Sequence, residues 1–167
     1  MIQYQISPSN PNSHLFEVLL SFKSTPGQSY TLSLPAWLPG SYMIRDFAKN
    51  ITQIHALGSQ EQAIALTKTD KQTWSLQACD EQVQVRYQIF AFDLSVRTAY
   101  LDSQRGFFNG SSTFLQVTEL SELSCELIIQ PSANTAHSQW RVATGLTRAK
   151  ETEKFQFGRY IADNYQH

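Results

Sequence analysis

The side chains that commonly carry catalysis are sparse and scattered in this chain of 167 residues. The four histidines stand alone, at His14, His55, His137 and His167. No two of them have the i, i+4 spacing with which a helix presents two zinc ligands, and there is no His-Glu-x-x-His. Neither a Gly-x-Ser-x-Gly turn nor a glycine-rich phosphate loop is present. We therefore expect no catalytic residue, metal site or cofactor site within this chain.

The remaining candidates for chemistry are two aspartates and two cysteines. Asp93 and Asp102 could form the carboxylate pair of a hydrolase, but their positions on a predicted strand and loop favour a turn residue and a salt-bridge partner. Cys79 and Cys125 lie in separate segments, without the Cys-x-x-Cys spacing of a redox or zinc pair. We predict that both are buried, reduced thiols.

The charge of the chain is low and balanced, which excludes some partners. The chain has 13 basic and 14 acidic residues, its net charge is -1, and only 16% of its residues are charged. Such a chain has no electrostatic attraction for nucleic acid or for an anionic membrane, so we expect neither as a partner. The first residues carry no basic, apolar leader, and no run is long and apolar enough to span a bilayer. A cytoplasmic protein is predicted.

Residues 34–47 form a segment that is unusually rich in aromatic residues, proline and glycine. Pro35 and Pro39 fix the backbone around Trp37, and Gly40 allows the chain to turn. A short helical turn is predicted at 41–47. Trp37 either plugs the core at a rigid corner or belongs to an aromatic surface that meets a partner domain or ligand.

Residues 105–112 form a second such segment. Phe107 and Phe108 are adjacent, so on a strand they face opposite sides and one of them faces solvent or a neighbour. Asn109 and Gly110 can adopt the positive φ angles of a tight turn. The segment is either an ordinary hairpin or a loop that presents its side chains outward.

Alternating apolar and polar residues predict that β-strands position these segments. The clearest case is 83–89, where Val83, Val85, Tyr87 and Ile89 would face a core. Further strands are predicted at 2–6, 16–22, 30–34, 74–76, 125–129, 140–145 and 155–157. The fold class is all-β, an antiparallel β-sandwich of two sheets packed face to face.

Several motifs, taken together and in order, resemble the N-terminal domain of the glycyl aminopeptidase family, zinc metallopeptidases that also carry a PDZ domain. The matching residues are Leu34-Pro35-Ala36-Trp37, Pro39-Gly40-Ser41-Tyr42, Ile44-Arg45-Asp46-Phe47, Asp70-Lys71 before Trp74, Asp93, Ser95-Val96-Arg97, Ala99-Tyr100-Leu101-Asp102, Arg105-Gly106-Phe107-Phe108-Asn109-Gly110-Ser111, Trp140, Ala143-Thr144-Gly145-Leu146 and Ala162-Asp163-Asn164-Tyr165. The resemblance spans nearly the whole chain.

The resemblance implies a β-sandwich or saddle like the N-terminal domain of aminopeptidase N and leukotriene-hydrolase type enzymes. In such proteins it precedes a thermolysin-like catalytic domain with His-Glu-x-x-His, where we expect the zinc. Residues 1–160 would form a single β-sandwich domain, and residues 161–167 would begin the linker to that absent domain. The chain would be non-catalytic, with its own catalytic domain and PDZ domain as partners and a peptide as the parent's substrate.

The resemblance also implies two functional surfaces. In related aminopeptidases the N-terminal domain places a polar group near the free amine of the substrate. By analogy, the candidate substrate-cleft loop consists of Arg105, Phe108, Asn109, Gly110 and Ser111. Buried aromatic residues anchor interfaces, and the candidate interdomain surface consists of Trp37, Tyr42, Arg45, Asp46 and Tyr165.

Two other functions stay open from the sequence. A free-standing carbohydrate-binding or adhesion-type β-sandwich would use aromatic platforms and an uncharged polar surface to bind sugars. It would also be expected to carry a secretion signal. A protein-interaction module without a linked enzyme is the other alternative.

Overall fold

The computed structural model describes residues 1–133 and 137–166. These residues form fourteen β-strands and four short 3-10 helices. The strands are β1 (Ile2–Asn10), β2 (Leu15–Lys23), β3 (Ser29–Ser33), β4 (Ile51–Gly58), β5 (Ala63–Ile64), β6 (Leu66–Lys68), β7 (Thr73–Gln77), β8 (Gln82–Phe90), β9 (Ala99–Leu101), β10 (Gly106–Phe108), β11 (Gln116–Val117), β12 (Cys125–Ile129), β13 (Thr147–Arg148) and β14 (Gly158–Ala162). The helices are Pro11–Ser13, Phe47–Asn50, Gly110–Ser112 and Thr118–Leu120.

The strands form two main sheets and one separate hairpin. The larger sheet has eight strands in the order β13-β14-β12-β1-β2-β8-β4-β5, and the smaller has four in the order β11-β3-β7-β6. Strands β9 and β10 form a separate two-stranded sheet. Within the described ranges, every strand pair is antiparallel except β1 with β12, which is parallel. The predicted all-β, antiparallel fold is confirmed.

The core lies between the two sheets because alternate residues of the long strands are apolar. Strands β2 and β8 pair over nine residues, from Leu15 opposite Phe90 to Lys23 opposite Gln82. The alternate side chains of both strands are fully buried on one face of this pair. Phe22 of the large sheet contacts Tyr30 of the small one, with ring centroids 5.2 Å apart. Each buried side chain of this kind contributes roughly 1.5–3 kcal/mol.

Glu126 is a buried carboxylate on the other face of strand β12. Its Oε1 accepts a hydrogen bond from Nε of Arg159 at 2.8 Å and forms an ion pair with Nη2 of the same guanidinium. Its Oε2 accepts from Nε2 of Gln3 at 2.6 Å. Arg159 lies on β14 and Gln3 on β1, so one carboxylate joins three neighbouring strands. A buried charge is tolerated when it is paired and hydrogen-bonded in this way.

Strand β14 crosses the predicted domain boundary between residues 160 and 161. Ala162 pairs with Cys125, and the hydroxyl of Tyr165 donates to the carbonyl oxygen of Phe114 at 2.7 Å. Residues 161–165 therefore pack on the domain. The linker itself stays a prediction, and its last residue, His167, lies outside the described residues.

The strands predicted at 140–145 and 155–157 are wrong. Residues 140–146 belong to no strand, and the turn there is closed by the amide of Leu146, which donates to Oγ1 of Thr144 at 3.2 Å. Phe155 has φ of 66°, a left-handed conformation that a strand cannot contain. The apolar alternation at these places comes from loop residues.

The helical turn predicted at 41–47 lies further along the chain, as the 3-10 helix Phe47–Asn50. The amide of Arg45 donates to the carbonyl oxygen of Ala36 at 2.6 Å and closes residues 36–45 as a loop.

Cys79 is exposed, so the prediction that both thiols are buried is wrong for that residue, whereas Cys125 is buried as predicted. None of the helices in the described part of the chain is long or apolar enough to cross a membrane.

Three tyrosines anchor residues 113–115, the segment that follows the 105–112 loop. Tyr87 donates to the carbonyl oxygen of Thr113 at 3.0 Å, and Tyr4 donates to that of Leu115 at 2.8 Å. Tyr165 donates to the carbonyl oxygen between them, that of Phe114. The hydroxyl of Tyr87 also accepts from the amide of Leu115 at 3.1 Å. We call Tyr4, Tyr87 and Tyr165 the anchoring tyrosines.

Tyr87→Phe tests how strongly this segment is held. The change removes one hydroxyl and leaves a buried carbonyl and a buried amide without their partner, which costs roughly 2–4 kcal/mol. We expect denaturant titration to show a fall of that size in the free energy of unfolding. The same substitution at the exposed Tyr42 is the matched control and should change it by less than about 0.5 kcal/mol. Equal effects at the two positions would contradict an anchoring role.

Candidate functional site

The β9–β10 hairpin begins the predicted substrate-cleft loop, and Asp102 shapes its turn. The Asp102 carboxylate accepts from the amides of Gln104 and Arg105, both at 2.8 Å, and from the hydroxyl of Tyr100 at 2.9 Å. The amide of Gln104, followed by that of Arg105, lowers the pKa of Asp102, whereas donation to Asp102 raises the pKa of Tyr100. Asp102 is thus the predicted turn residue. Neither it nor Asp93 forms a salt bridge with a described residue.

Phe107 and Phe108 face opposite sides of β10, as predicted. Phe107 is 45% exposed. Phe108 packs edge-on against Phe16 and Phe114, with ring centroids 5.7 Å apart in both pairs. Phe108 therefore fixes the base of the loop against the core, and Phe107 contributes an aromatic ring to the surface.

Asn109 caps the 3-10 helix Gly110–Ser112 instead of forming a positive-φ turn. Its φ and ψ are -98° and 133°, and its Oδ1 accepts from the amide of Ser111 at 3.1 Å. Its carbonyl oxygen accepts from the hydroxyls of Ser112 and Thr113 at 2.8 and 3.0 Å. The predicted positive φ at Asn109 and Gly110 is wrong because a capping residue takes extended backbone angles.

Residues of the loop and of the C-terminal segment line an open cavity of about 390 Å³, which we call the loop cavity. Phe108, Asn109, Gly110 and Ser111 form one side, and Tyr165 lies among the residues of the other. Four of the five predicted cleft-loop residues are therefore brought together with one predicted interdomain residue. Arg105 instead lines a separate cavity of about 310 Å³, and Phe108 lines both cavities.

The loop cavity is neutral. None of the described residues that line it is charged. Two of its aromatic rings belong to Tyr4 and Tyr165, whose hydroxyls are already bound to backbone carbonyls, and burial raises the pKa of both. Burial also raises the pKa of the Cys125 thiol, another lining residue, to about 11. These groups stay protonated and uncharged at neutral pH.

The other predicted interdomain residues lie in an exposed segment, which we call the 37–46 segment. Trp37 is 51% exposed and donates from Nε1 to the carbonyl oxygen of Ser41 at 2.9 Å, so it does not plug the core. Tyr42 is fully exposed, and Met43 and Ile44 are also exposed. Leu38, from the same segment, lines the loop cavity, so the two surfaces adjoin.

Arg45 and Asp46 lie at the end of this segment. Arg45 is half-buried, and its Nε finds no hydrogen-bond acceptor within 1–133 and 137–166. Asp46 lies 3.9 Å from Nζ of Lys71, and both side chains are largely exposed. An exposed pair of this kind contributes little to stability.

The structure also contains an exposed aromatic row, formed by Phe92, Tyr100 and Phe107, that the sequence does not predict. Phe92 and Phe107 both pair directly with Tyr100, so the three rings stand side by side on one face. His14 stacks on Phe92 with ring centroids 3.9 Å apart, and the Arg105 guanidinium lies 5.6 Å from the Tyr100 ring. The apolar residues that alternate along the sequence from Phe92 onward could have indicated such a surface. The pairing of Phe92 with Tyr100 of β9 places Phe92 in the row.

In the described ranges, no group of three or more histidine, cysteine, aspartate or glutamate residues could hold a metal ion. The candidate site is therefore a neutral cavity beside an exposed apolar segment. It offers aromatic surface and amide groups, and none of its described lining residues is a charged nucleophile or acid. Such a site can bind and orient a ligand.

Comparison with known proteins gives a consistent result. Residues 3–167 match the family model of the Peptidase M61 N-terminal domain. The chain is similar to a crystal structure of an aminopeptidase N family protein from Idiomarina loihiensis, with 41% identity and a TM-score of 0.92. The similarity covers 99% of this chain and 27% of that one, so the chain spans about a quarter of its solved relative.

A second solved structure, an M1 zinc metallopeptidase from Deinococcus radiodurans, is more distant. It has 8% identity and a TM-score of 0.47, over 96% of this chain and 37% of that one. No curated protein matches the chain. The match over residues 3–167, with the 41% identity to the Idiomarina protein, shows that the chain belongs to the Peptidase M61 N-terminal domain family.

Proposed function

We propose that this chain is the non-catalytic N-terminal domain of a zinc-dependent metallo-aminopeptidase, in which it braces the catalytic domain and forms one wall of the substrate cleft. Zinc hydrolysis needs protein ligands, a bound water and a general base. Because the described residues offer no such ligand set, the zinc and the hydrolysis belong to the remainder of the parent. The family match supports this division.

The observation that carries the proposal is the placement of Asn109 at the loop cavity. Phe108 packs the loop against Phe114, the anchoring tyrosines bond the residues that follow the loop, and the side chain of Asn109 is oriented by its bond to Ser111. A rigid loop presents a polar group to a ligand without an entropic cost of ordering. This is the property required of a cleft wall that positions a peptide.

The bracing role is assigned to the exposed 37–46 segment. Trp37, Tyr42, Met43 and Ile44 present apolar surface that water solvates poorly. Aromatic side chains of this kind anchor protein interfaces when a partner buries them. In this proposal the partner is the parent's catalytic domain, and the PDZ domain is a further module of the same parent.

The proposed location is the cytoplasm. Cys79 and Cys125 are both free thiols, one exposed and one buried. Free thiols are typical of a reducing compartment, whereas secreted domains tend to pair their cysteines.

Substitutions in the loop test the cleft-wall role in the full-length parent enzyme. We expect Asn109→Ala and Phe108→Ala each to lower kcat/KM for peptide hydrolysis by roughly tenfold, since a lost hydrogen bond or packing contact costs about 1–1.5 kcal/mol. Asn10 also caps a 3-10 helix, through Ser13, but does not line the cavity, so Asn10→Ala is the control. Unchanged kcat and KM for both loop variants would remove the loop from the substrate site.

Ile44→Asp tests the bracing role. Ile44 is 77% exposed, so the free energy of unfolding of this chain alone should change by less than about 0.5 kcal/mol. In the full-length parent the same change would place a charge in the interface, and we expect a lower melting temperature in thermal unfolding. Equal melting temperatures for the two full-length proteins would show that this segment is not the interface.

The aromatic row favours a second candidate function, carbohydrate binding. Rows of exposed rings bind the apolar faces of sugars. A glycan array with this chain would show saturable binding that Phe92→Ala and Phe107→Ala abolish, while Trp37→Ala, outside the row, retains it. If no glycan binds, or if all three variants bind equally, carbohydrate binding by the row is excluded.

A further inference from the structure

The size and lining of the loop cavity are those of a binding site for a small ligand. Its volume of about 390 Å³ falls within the roughly 300–1,000 Å³ of ligand pockets. Its lining includes the aromatic rings of Tyr4, Phe108, Phe114 and Tyr165. Phe114 contacts both Tyr4 and Phe108, with ring centroids 5.0 and 5.7 Å away, so these three rings form one packed cluster.

The absence of charge among the described lining residues selects against charged ligands. An ionised group that enters an apolar cavity loses its hydration, and here no opposite charge would compensate for the loss. The hydroxyls of Tyr4 and Tyr165 are already bound to backbone carbonyls, so these two rings offer mainly carbon surface. The cavity is therefore complementary to a neutral, apolar group.

Two asparagines give the cavity directional polar groups. Oδ1 of Asn109 accepts from the amide of Ser111 at 3.1 Å, and Oδ1 of Asn164 accepts from the amide of Gln166 at 2.9 Å. A backbone amide can only donate, so these two bonds fix which end of each side chain is the oxygen. The Nδ2 groups therefore form the free ends, and no residue in 1–133 or 137–166 accepts a hydrogen bond from them.

We propose that the loop cavity binds the uncharged, apolar side chain of a substrate peptide, while Nδ2 of Asn109 and of Asn164 donates hydrogen bonds to the carbonyl oxygens of that peptide. Two fixed donors match the acceptors that every peptide carries. The inference deepens the proposed function, on which it rests, because it assigns a substrate class to the same cleft wall.

A titration of this chain with a small peptide analogue tests the inference. The probe is N-acetyl-L-leucine N-methylamide, and the readout is the ¹H–¹⁵N NMR spectrum, which includes the asparagine side-chain amides. We expect saturable shifts at Asn109 and Asn164 with a dissociation constant on the order of 1 mM. The corresponding lysine compound should bind at least about tenfold more weakly, because its charge would lose hydration.

Asn109→Asp and Asn164→Asp test the donors specifically. Aspartate can still accept the amide bond that orients the side chain, but it cannot donate to a carbonyl. Each change should weaken binding of the leucine compound by about tenfold or more. Asn10→Asp is the matched control, since Asn10 accepts from Ser13 in the same way outside the cavity, and it should leave binding unchanged. Thermal unfolding confirms that each variant is folded.

Three results of the titration would overturn the inference: no saturable shift, equal binding of the lysine compound, or shifts confined to the neighbouring cavity of Arg105 and Trp140. Competition in the full-length enzyme identifies the occupant. The leucine compound should inhibit peptide hydrolysis competitively, and binding to this chain without inhibition would mean that another part of the parent fills the cavity, which also overturns it. In that case loop substitutions could still change KM. The kinetics of the loop variants therefore test the proposed function independently of this inference.

Discussion

The position of the candidate site depends on the hydrogen bonds that the anchoring tyrosines make to three successive backbone carbonyls. Residues 113–115 are buried between the β9–β10 hairpin and β11, where they belong to no strand and cannot reach water. Buried carbonyls need donors, and Tyr4, Tyr87 and Tyr165 supply one each. The three come from β1, from β8 and from the chain after β14. The segment that follows the loop is therefore fixed to two strands of the large sheet and to the chain after β14.

The same hydroxyl bonds determine the chemistry of the loop cavity. A tyrosine with an unbound hydroxyl would bring a polar group into the cavity. The hydroxyls of Tyr4 and Tyr165 instead donate to backbone carbonyl oxygens. Charge is instead placed where it can be matched, as at Glu126, which meets Arg159 and Gln3. The low charge content of the chain is consistent with this division, because its few ionic groups need not enter the site.

The sequence predicts the long strands well and the connections poorly, and the reason is physical. In β2 and β8 each residue faces either the core or the outside, so burial imposes a period of two that the sequence displays. The loop at 36–45 is set by a bond between Arg45 and Ala36 that no local pattern encodes. The parallel pairing of β1 with β12 likewise joins residues more than a hundred positions apart.

The candidate site shows the same limit at the level of single residues. The sequence predicts that Asn109 lies in a loop, but its capping role depends on how the chain continues into Gly110–Ser112. The sequence does not predict Asn164 as a site residue, because the pairing of β14 with β12 is what brings it to the cavity. The residue types and their order predict the region, and long-range pairing determines which residues line it.

The closeness of the loop cavity to the 37–46 segment links the two proposed roles. Leu38 lines the cavity, while Trp37 and Tyr42 on either side of it are exposed. A partner that covers Trp37 and Tyr42 would also exclude water from the edge of the cavity, and hydrogen bonds to the asparagine amides are stronger where water is excluded. Bracing and ligand binding would then reinforce each other, because the same contact would hold the two domains together and complete the environment of a bound peptide.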